Sequence, residues 1–265
     1  MSLKLTMGQY IPGESLLHHL DPRIKVACVL VVAVAVLLAS GWAGFVPAAL
    51  ITVAAVALSG FSPRLIIGGL RSLWLILTVT FLLQLLLTPG ELLFALGPLK
   101  ISWEGLDAGS QLFLRLALLI FLASLLTQTT SPVSLTAGLE SVLSPLTRLG
   151  VPAHELAMMM TIALGFIPTL LQEADILVKA QRSRGAGLEG GPAGWLKNML
   201  PLLVPLFAGA LRRAEDLATA MEARCYRGGA NRTRIRSLYT GPADYAAVAV
   251  CLAALAGTLV LRCYY

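Results

Sequence analysis

Runs of apolar residues separated by short polar breaks dominate this chain. They fall at Ile24–Ala39, Ala43–Phe61, Leu73–Leu87, Leu112–Leu126 and Tyr245–Leu261. Each reaches the ~20 residues that a helix needs to cross a bilayer only with its flanks included, and all are within the working range. The pattern predicts five transmembrane helices. Asp21-Pro22 marks the start of the first, with an acid at a capping position and proline at the first helical position. Thr88-Pro89-Gly90 breaks the third. Residues 91–107 then read as a net-negative loop carrying Glu91, Lys100, Glu104 and Asp107. Arg115 stands near the start of the fourth run. The reading for it is a side chain snorkelling to the interface, with a partner inside the bundle as the alternative. Leu38-Ala39-Ser40 is small enough for a signal-peptide cleavage site. Glu14 and Asp21 ahead of the run, and the span that follows at once, favour a retained anchor.

Between the fourth and fifth runs lies a long segment, residues 128–242, with 12 Lys and Arg and 8 Asp and Glu. Residues 131–149 read as an amphipathic helix capped by Ser134, with Leu135, Leu139, Val142 and Leu146 at helical spacing. Two more apolar pieces follow. Leu156–Leu171 holds Met158-Met159-Met160 and Pro168; Met199–Leu211 holds Pro201 and Pro205. As a transmembrane hairpin they would make seven spans and put Lys179, Arg182, Arg184 and Lys197 outside, against the positive-inside bias. Both pieces are also short and contain proline. They are therefore expected to be helices at the cytoplasmic face, with apolar parts packed on protein or sunk in the interface. Each leads to a tip of similar make, Lys179-Ala-Gln-Arg-Ser-Arg-Gly185 and Met221-Glu-Ala-Arg-Cys-Tyr-Arg-Gly-Gly229. Arginine in a last turn is favoured by the negative end of the helix dipole, and glycine just beyond it is a helix stop.

Composition sharpens the class. The chain is 57% hydrophobic and 13% charged, about half the usual charged fraction of roughly 25%. Its mean hydropathy of +0.80 is too high for a soluble domain. The excess of basic residues, 20 against 14 acids, belongs mostly to cytoplasmic parts and points away from nucleic acid. Assigning basic loops inside gives a cytoplasmic N-terminus and an outside C-terminus. The division is a four-span bundle over 1–127, cytoplasmic helices over 128–242, and a last span over 243–265. The fold class is all-α and polytopic, in the lipid bilayer.

The four cysteines, Cys28, Cys225, Cys251 and Cys263, have no paired spacing and make neither a disulfide framework nor a metal site. No phosphate-binding Gly-rich loop, carboxylate pair or nucleophile motif is present, so no catalytic, cofactor-binding or metal residue is expected. His154 reads as a helix-start residue. The near absence of ionisable groups in the spans argues against an ion-coupled carrier. What remains is the pair of arginine tips. They are either solvated helix ends touching anionic lipid, or docking points whose guanidinium groups pair with a carboxylate in a partner's groove. The triple methionine reads as a soft, re-packable contact surface.

A wider set of motifs carries a family resemblance. It comprises Gly8-x-Tyr10-x-Pro12-Gly13-x-Ser15-x-x-His18-x-Leu20-Asp21-Pro22-Arg23, Lys179-Ala180-Gln181-x-x-Arg184-Gly185, Pro201-Leu202-Leu203-Val204-Pro205-Leu206-Phe207, Arg213-Ala214-Glu215 and Ala220-Met221-Glu222-Ala223-Arg224. Over nearly its whole length the chain resembles the T component of energy-coupling factor (ECF) transporters, the membrane scaffold of a class of vitamin and metal importers. The resemblance implies a subunit of a bacterial or archaeal cell-membrane complex that catalyses nothing itself. Its partners would be two ABC-type ATPase subunits and a substrate-binding membrane S component. Two X-Arg-X motifs dock into the ATPases, here Ser183-Arg184-Gly185 and Ala223-Arg224-Cys225. The commoner form has glycine after the second arginine, and Cys225 departs from it. The S component would pack on the apolar flanks of the coupling helices, for which Met158, Met159, Met160, Phe166, Leu203 and Phe207 are the candidates. The pattern is closer to the shared form, serving several S components, than to one dedicated to a metal. A channel or secondary carrier is the alternative.

Overall fold

The structure is a computed structural model, and it describes residues 13, 15–60, 63–96, 99–150, 152–185, 192–228 and 240–264. Gly8, Tyr10 and Pro12 of the N-terminal motif therefore lie outside the described residues. The described parts of residues 7–142 and 236–265 form one compact unit, and those of 143–235 form a second.

The first unit is a helical bundle. A single turn, α1 (Leu16–His19), precedes α2 (Pro22–Leu38), α3 (Gly41–Ser59) and α4 (Pro63–Leu87); α5 (Trp103–Thr129), α6 (Pro132–Leu143) and α9 (Pro242–Tyr264) complete it. The five predicted spans fall on α2, α3, α4, α5 and α9. Between α4 and α5, Leu92–Leu96 (β1) pairs antiparallel with Leu99–Ser102 (β2), with Leu96 opposite Leu99. The sequence reads this stretch as loop, because the strands are too short to carry a period-2 signal of their own. The bundle is all-α apart from this hairpin. Its core gathers Val32, Val36, Ala39, Phe45, Ala48, Leu118, Leu122 and Cys251, from α2, α3, α5 and α9. Many large apolar side chains stay exposed, among them Leu50, Val53, Leu75 and Leu87. A soluble monomer rarely shows so much apolar surface, and lipid is the solvent that suits it.

The start signal read at Asp21 holds. Asp21 caps α2, its side chain accepting from the Arg23 amide at 2.9 Å. Ser102 caps α5 through the Gly105 amide at 3.0 Å. At α6 the cap is one turn earlier than expected. Ser131, not Ser134, accepts the Ser134 amide, at 3.2 Å, and Pro132 is the first helical residue. Proline at that position needs no amide partner and leaves Ser131 as the cap. The helix also stops at Leu143, and the chain continues as a 3-10 turn over Ser144–Leu149. Gly138 lets α6 lie against the start of α2, since a Cβ there would sit 2.9 Å from the Pro22 carbonyl oxygen and from Val26 Cγ2.

Two long-range contacts tie the bundle ends. Asp244, buried at the start of α9, accepts the Asp21 amide at 3.0 Å and the Gly241 amide at 2.7 Å. Lys25 Nζ donates to the His18 and Thr129 carbonyls, each at 3.3 Å. The His18-x-Leu20-Asp21-Pro22-Arg23 motif thereby joins α1, α2, α5 and α9 with buried, charge-assisted bonds. Arg115 takes a protein partner instead of the interface: it donates to the Ala39 carbonyl at 2.7 Å, and its guanidinium lies 5.5 Å from the Phe45 ring centre. It thus satisfies an orphan carbonyl at the C-terminal end of α2 and gains a cation–π contact.

The second unit holds two long helices, α7 (Ala153–Ser183) and α8 (Pro192–Ala223). Pro168 lies inside α7, and Pro201 and Pro205 lie inside α8. Proline breaks the sequence pattern into short pieces, but the backbone carries the helix through it. Neither piece is short in the fold: 156–171 lies in a helix of 31 residues and 199–211 in one of 32. By length and composition four described helices can cross a membrane, and α7 is one of them, beside α3, α5 and α9.

Candidate functional site

Both predicted tips are built alike. In α7, Ser183 is the last helical residue, Arg184 is the C-cap at φ −86°, and Gly185 follows at φ +81°. The Arg184 amide donates to the Ala180 carbonyl at 3.3 Å, and the Gly185 amide donates to Arg182 at 3.0 Å. Ser183 folds its hydroxyl onto the Lys179 carbonyl at 3.1 Å. In α8, Ala223 is last. The Arg224 amide donates to the Ala220 carbonyl at 3.2 Å, that of Cys225 to Glu222 at 2.8 Å and that of Tyr226 to Met221 at 3.0 Å. The last two bonds, from the first and second residues beyond the cap back to the second- and third-last helical carbonyls respectively, define a Schellman ending. Arg184 and Arg224 therefore occupy the same structural position, and both side chains are exposed.

The Schellman ending needs a left-handed residue after the arginine, which is why glycine is common there. Cys225 adopts that conformation at φ +56°, the one non-glycine with positive φ among the described residues. The departure at Cys225 leaves the shape of the tip intact and loads it with strain. A β-carbon in this region costs roughly 1–2 kcal/mol, partly offset by glycine's extra chain entropy. Cys225→Gly is expected to stabilise the end of α8 by roughly 0.5–1 kcal/mol. Hydrogen exchange of the Tyr226 amide should slow accordingly; unchanged or faster exchange would show that the cysteine is unstrained.

The apolar candidates divide. Met159 (53% exposed), Leu203 (52%) and Phe207 (69%) are open, as is Met160; Met158 and Phe166 are half-buried. In α8 the exposed set is wider than expected. Leu200, Leu203, Val204, Phe207 and Leu211 are all exposed and recur at helical spacing along one stripe. Leu202, between them, is buried.

A contact that the sequence reading missed joins the two helices. Arg213 Nη1 meets Glu173 Oε2 at 2.7 Å, the two side chains being 35% and 27% exposed. Gly209 leaves room for that carboxylate: a Cβ there would stand 2.8 Å from Glu173 Oε1. The signal was an acid and a base just past the ends of the two apolar pieces, but a pairing across 40 residues has no local period to reveal it.

The family-wide comparison covers residues 13–235, which match the Cobalt transport protein model, CbiQ. The chain belongs to this family. Curated relatives carry the name "Energy-coupling factor transporter transmembrane protein EcfT". That of Thermosediminibacter oceani is 50% identical over 245 residues, 92% of each chain. That of Heliobacterium modesticaldum is 45% identical over 262 residues, 98% of this chain and 97% of the relative. That of Thermanaerovibrio acidaminovorans is 46% identical over 263 residues, 99% and 98%. With its apolar helices, the chain is a multi-pass membrane protein of the ECF T-component type, and the stand-alone channel or carrier is not favoured.

Proposed function

We propose that this T component is the scaffold of an ATP-driven importer for vitamins or other micronutrients, coupling two ABC-type ATPase subunits to a substrate-binding S component. The observation that carries this is the like construction of two helix ends, each fixing an exposed arginine at its C-cap. A rigid end that projects a planar, always-charged fork suits bidentate pairing with a carboxylate in a groove. Ser183, Arg184 and Gly185 form one such end; Ala223, Arg224 and Cys225 form the other. ATP hydrolysis then belongs to the partners, and this chain catalyses nothing.

The exposed apolar faces of α7 and α8 take the S component. Met159, Met160, Leu203 and Phe207 are central to this surface, and Met158 and Phe166 lie at its half-buried margin. The N-terminus and both tips are cytoplasmic. Support for this comes from the basic residues at Lys4, Arg23, Lys25, Arg64 and Arg71 and from the tip cluster, set against the acidic 91–107 segment. The same bias keeps α7 at the cytoplasmic side although it is long enough to cross. The many partners that soft methionine surfaces accept fit the shared form of the transporter, serving several S components.

In the working cycle ATP closes the two ATPases, whose grooves move the tips, and the helix bodies pass the motion to the S component. Purifying the tagged chain from its own membranes tests the proposal. Two ATPases and a small membrane protein should come with it. A chain that purifies alone and moves solute in liposomes without ATP would instead be a carrier.

A further inference from the structure

We propose that the Glu173–Arg213 ion pair, seated against Gly209, is the pivot of a scissor whose two blades are α7 and α8. The inference rests on the coupling role proposed above and adds to it a fixed point. Arg184 lies eleven residues past Glu173, and Arg224 lies eleven past Arg213. At ~1.5 Å per residue each arm is about 16 Å long. The helices run in opposite directions along each other: Glu173 meets Gly209 and Arg213, while nearer the start of α7 a Cβ built on Gly228, beyond the end of α8, comes within 3.9 Å of Glu155 Oε1. The two tips therefore project to opposite sides of the crossing. Equal arms turn one rotation at the crossing into equal displacements of both tips. A rotation of about 10° moves each by ~3 Å.

An ion pair suits this place because it holds one register. Apolar helix faces re-pack when they slip by a turn. A one-turn slip of α8 would set Gly209 or Leu217 against Glu173, and a one-turn slip of α7 would set Thr169 or Leu177 against Arg213. None of these can pair a half-buried charge, so slippage strands both ions. Gly209 leaves the Glu173 carboxylate its place beside Arg213, where a Cβ would crowd it at 2.8 Å. Rotation about the pair keeps it; translation breaks it.

The test uses the whole transporter in liposomes, with Glu173→Gln, Glu173→Arg, Arg213→Glu and the Glu173→Arg/Arg213→Glu exchange. Substrate moved per ATP hydrolysed is one readout. The other is the distance between spin labels at Lys179 and Thr219, measured with the four native cysteines replaced. The single variants should keep the ATPases bound and hydrolysing while transport per ATP falls by about tenfold, with a broadened label distance. The exchange should restore both. The pivot is overturned if Glu173→Gln couples like the parent chain, or if the exchanged pair assembles yet couples no better than the single variants. Failure of the unmutated chain to bring its ATPases along would strike at the coupling role itself, a result distinct from either.

Discussion

Arg184→Ala and Arg224→Ala should each uncouple transport while the chain still inserts and folds. Both side chains are exposed, so truncating them costs the helix ends little burial. The backbone bonds that end α7 and α8 do not involve the guanidinium groups. On the docking proposed above, the alanine removes the charge-assisted contact to an ATPase and would leave a carboxylate of that partner buried without its ion. Such a loss costs about 2–5 kcal/mol, much of it the penalty on the stranded group. That is roughly 30-fold to several-thousand-fold in affinity per tip. One remaining tip still tethers the complex, so a single variant should hold the ATPases weakly and fail to transmit their closure. The double variant should lose them altogether. Lysine should rescue poorly, because an ammonium has no planar fork to pair with both carboxylate oxygens. Co-purification and substrate uptake are the measurements. If both alanine variants hold the ATPases and transport normally, the tips are solvated ends and the coupling site is elsewhere.

A glutamate at Met159 together with one at Leu203 should release the S component and spare the rest. Each of these residues leaves about half of its surface open in the chain by itself, and Phe207, one turn beyond Leu203, is more open still. Burying such a stripe at about 25 cal/mol per Å² is a large part of what an interface of this kind has to offer. A charge at its centre forfeits that burial and adds the cost of an unpaired ion under a partner. Binding should fall by about a hundredfold or more, as expected when the centre of an apolar contact is charged. The tips are remote in sequence and exposed, so ATPase binding should survive. Expression, ATPase binding and S-component binding are measured side by side. Collapse of all three together would make Met159 and Leu203 core residues of this chain.

Much of this protein is legible because its signals are local. The helices α2, α3, α4, α5 and α9 follow from apolar runs, since lipid requires backbone groups to be satisfied within each segment. Asp21-Pro22 starts α2 where it should, because a cap acts over two or three residues. The tips at Arg184 and Arg224 are visible for the same reason: the dipole, the cap and the left-handed residue all lie within one turn. Sequence by itself thus determines the all-α membrane class, the rods and their charged ends.

The tertiary structure decided the pairings. Arg115 reaches the Ala39 carbonyl across 76 positions, Asp21 meets Asp244 across 223, and Glu173 finds Arg213 on the next helix. No period or cap encodes a partner at that separation, and burial drives an ionic or polar group to whichever complement the packing brings near. The backbone of α7 running on through Pro168 is of the same kind. One lost amide bond and a local clash weigh against a helix that is otherwise hydrogen-bonded along 31 residues, and the whole outweighs the break. At Cys225 the Schellman bonds hold a residue whose own preference is against the left-handed region, so local propensity yields to the helix end that contains it.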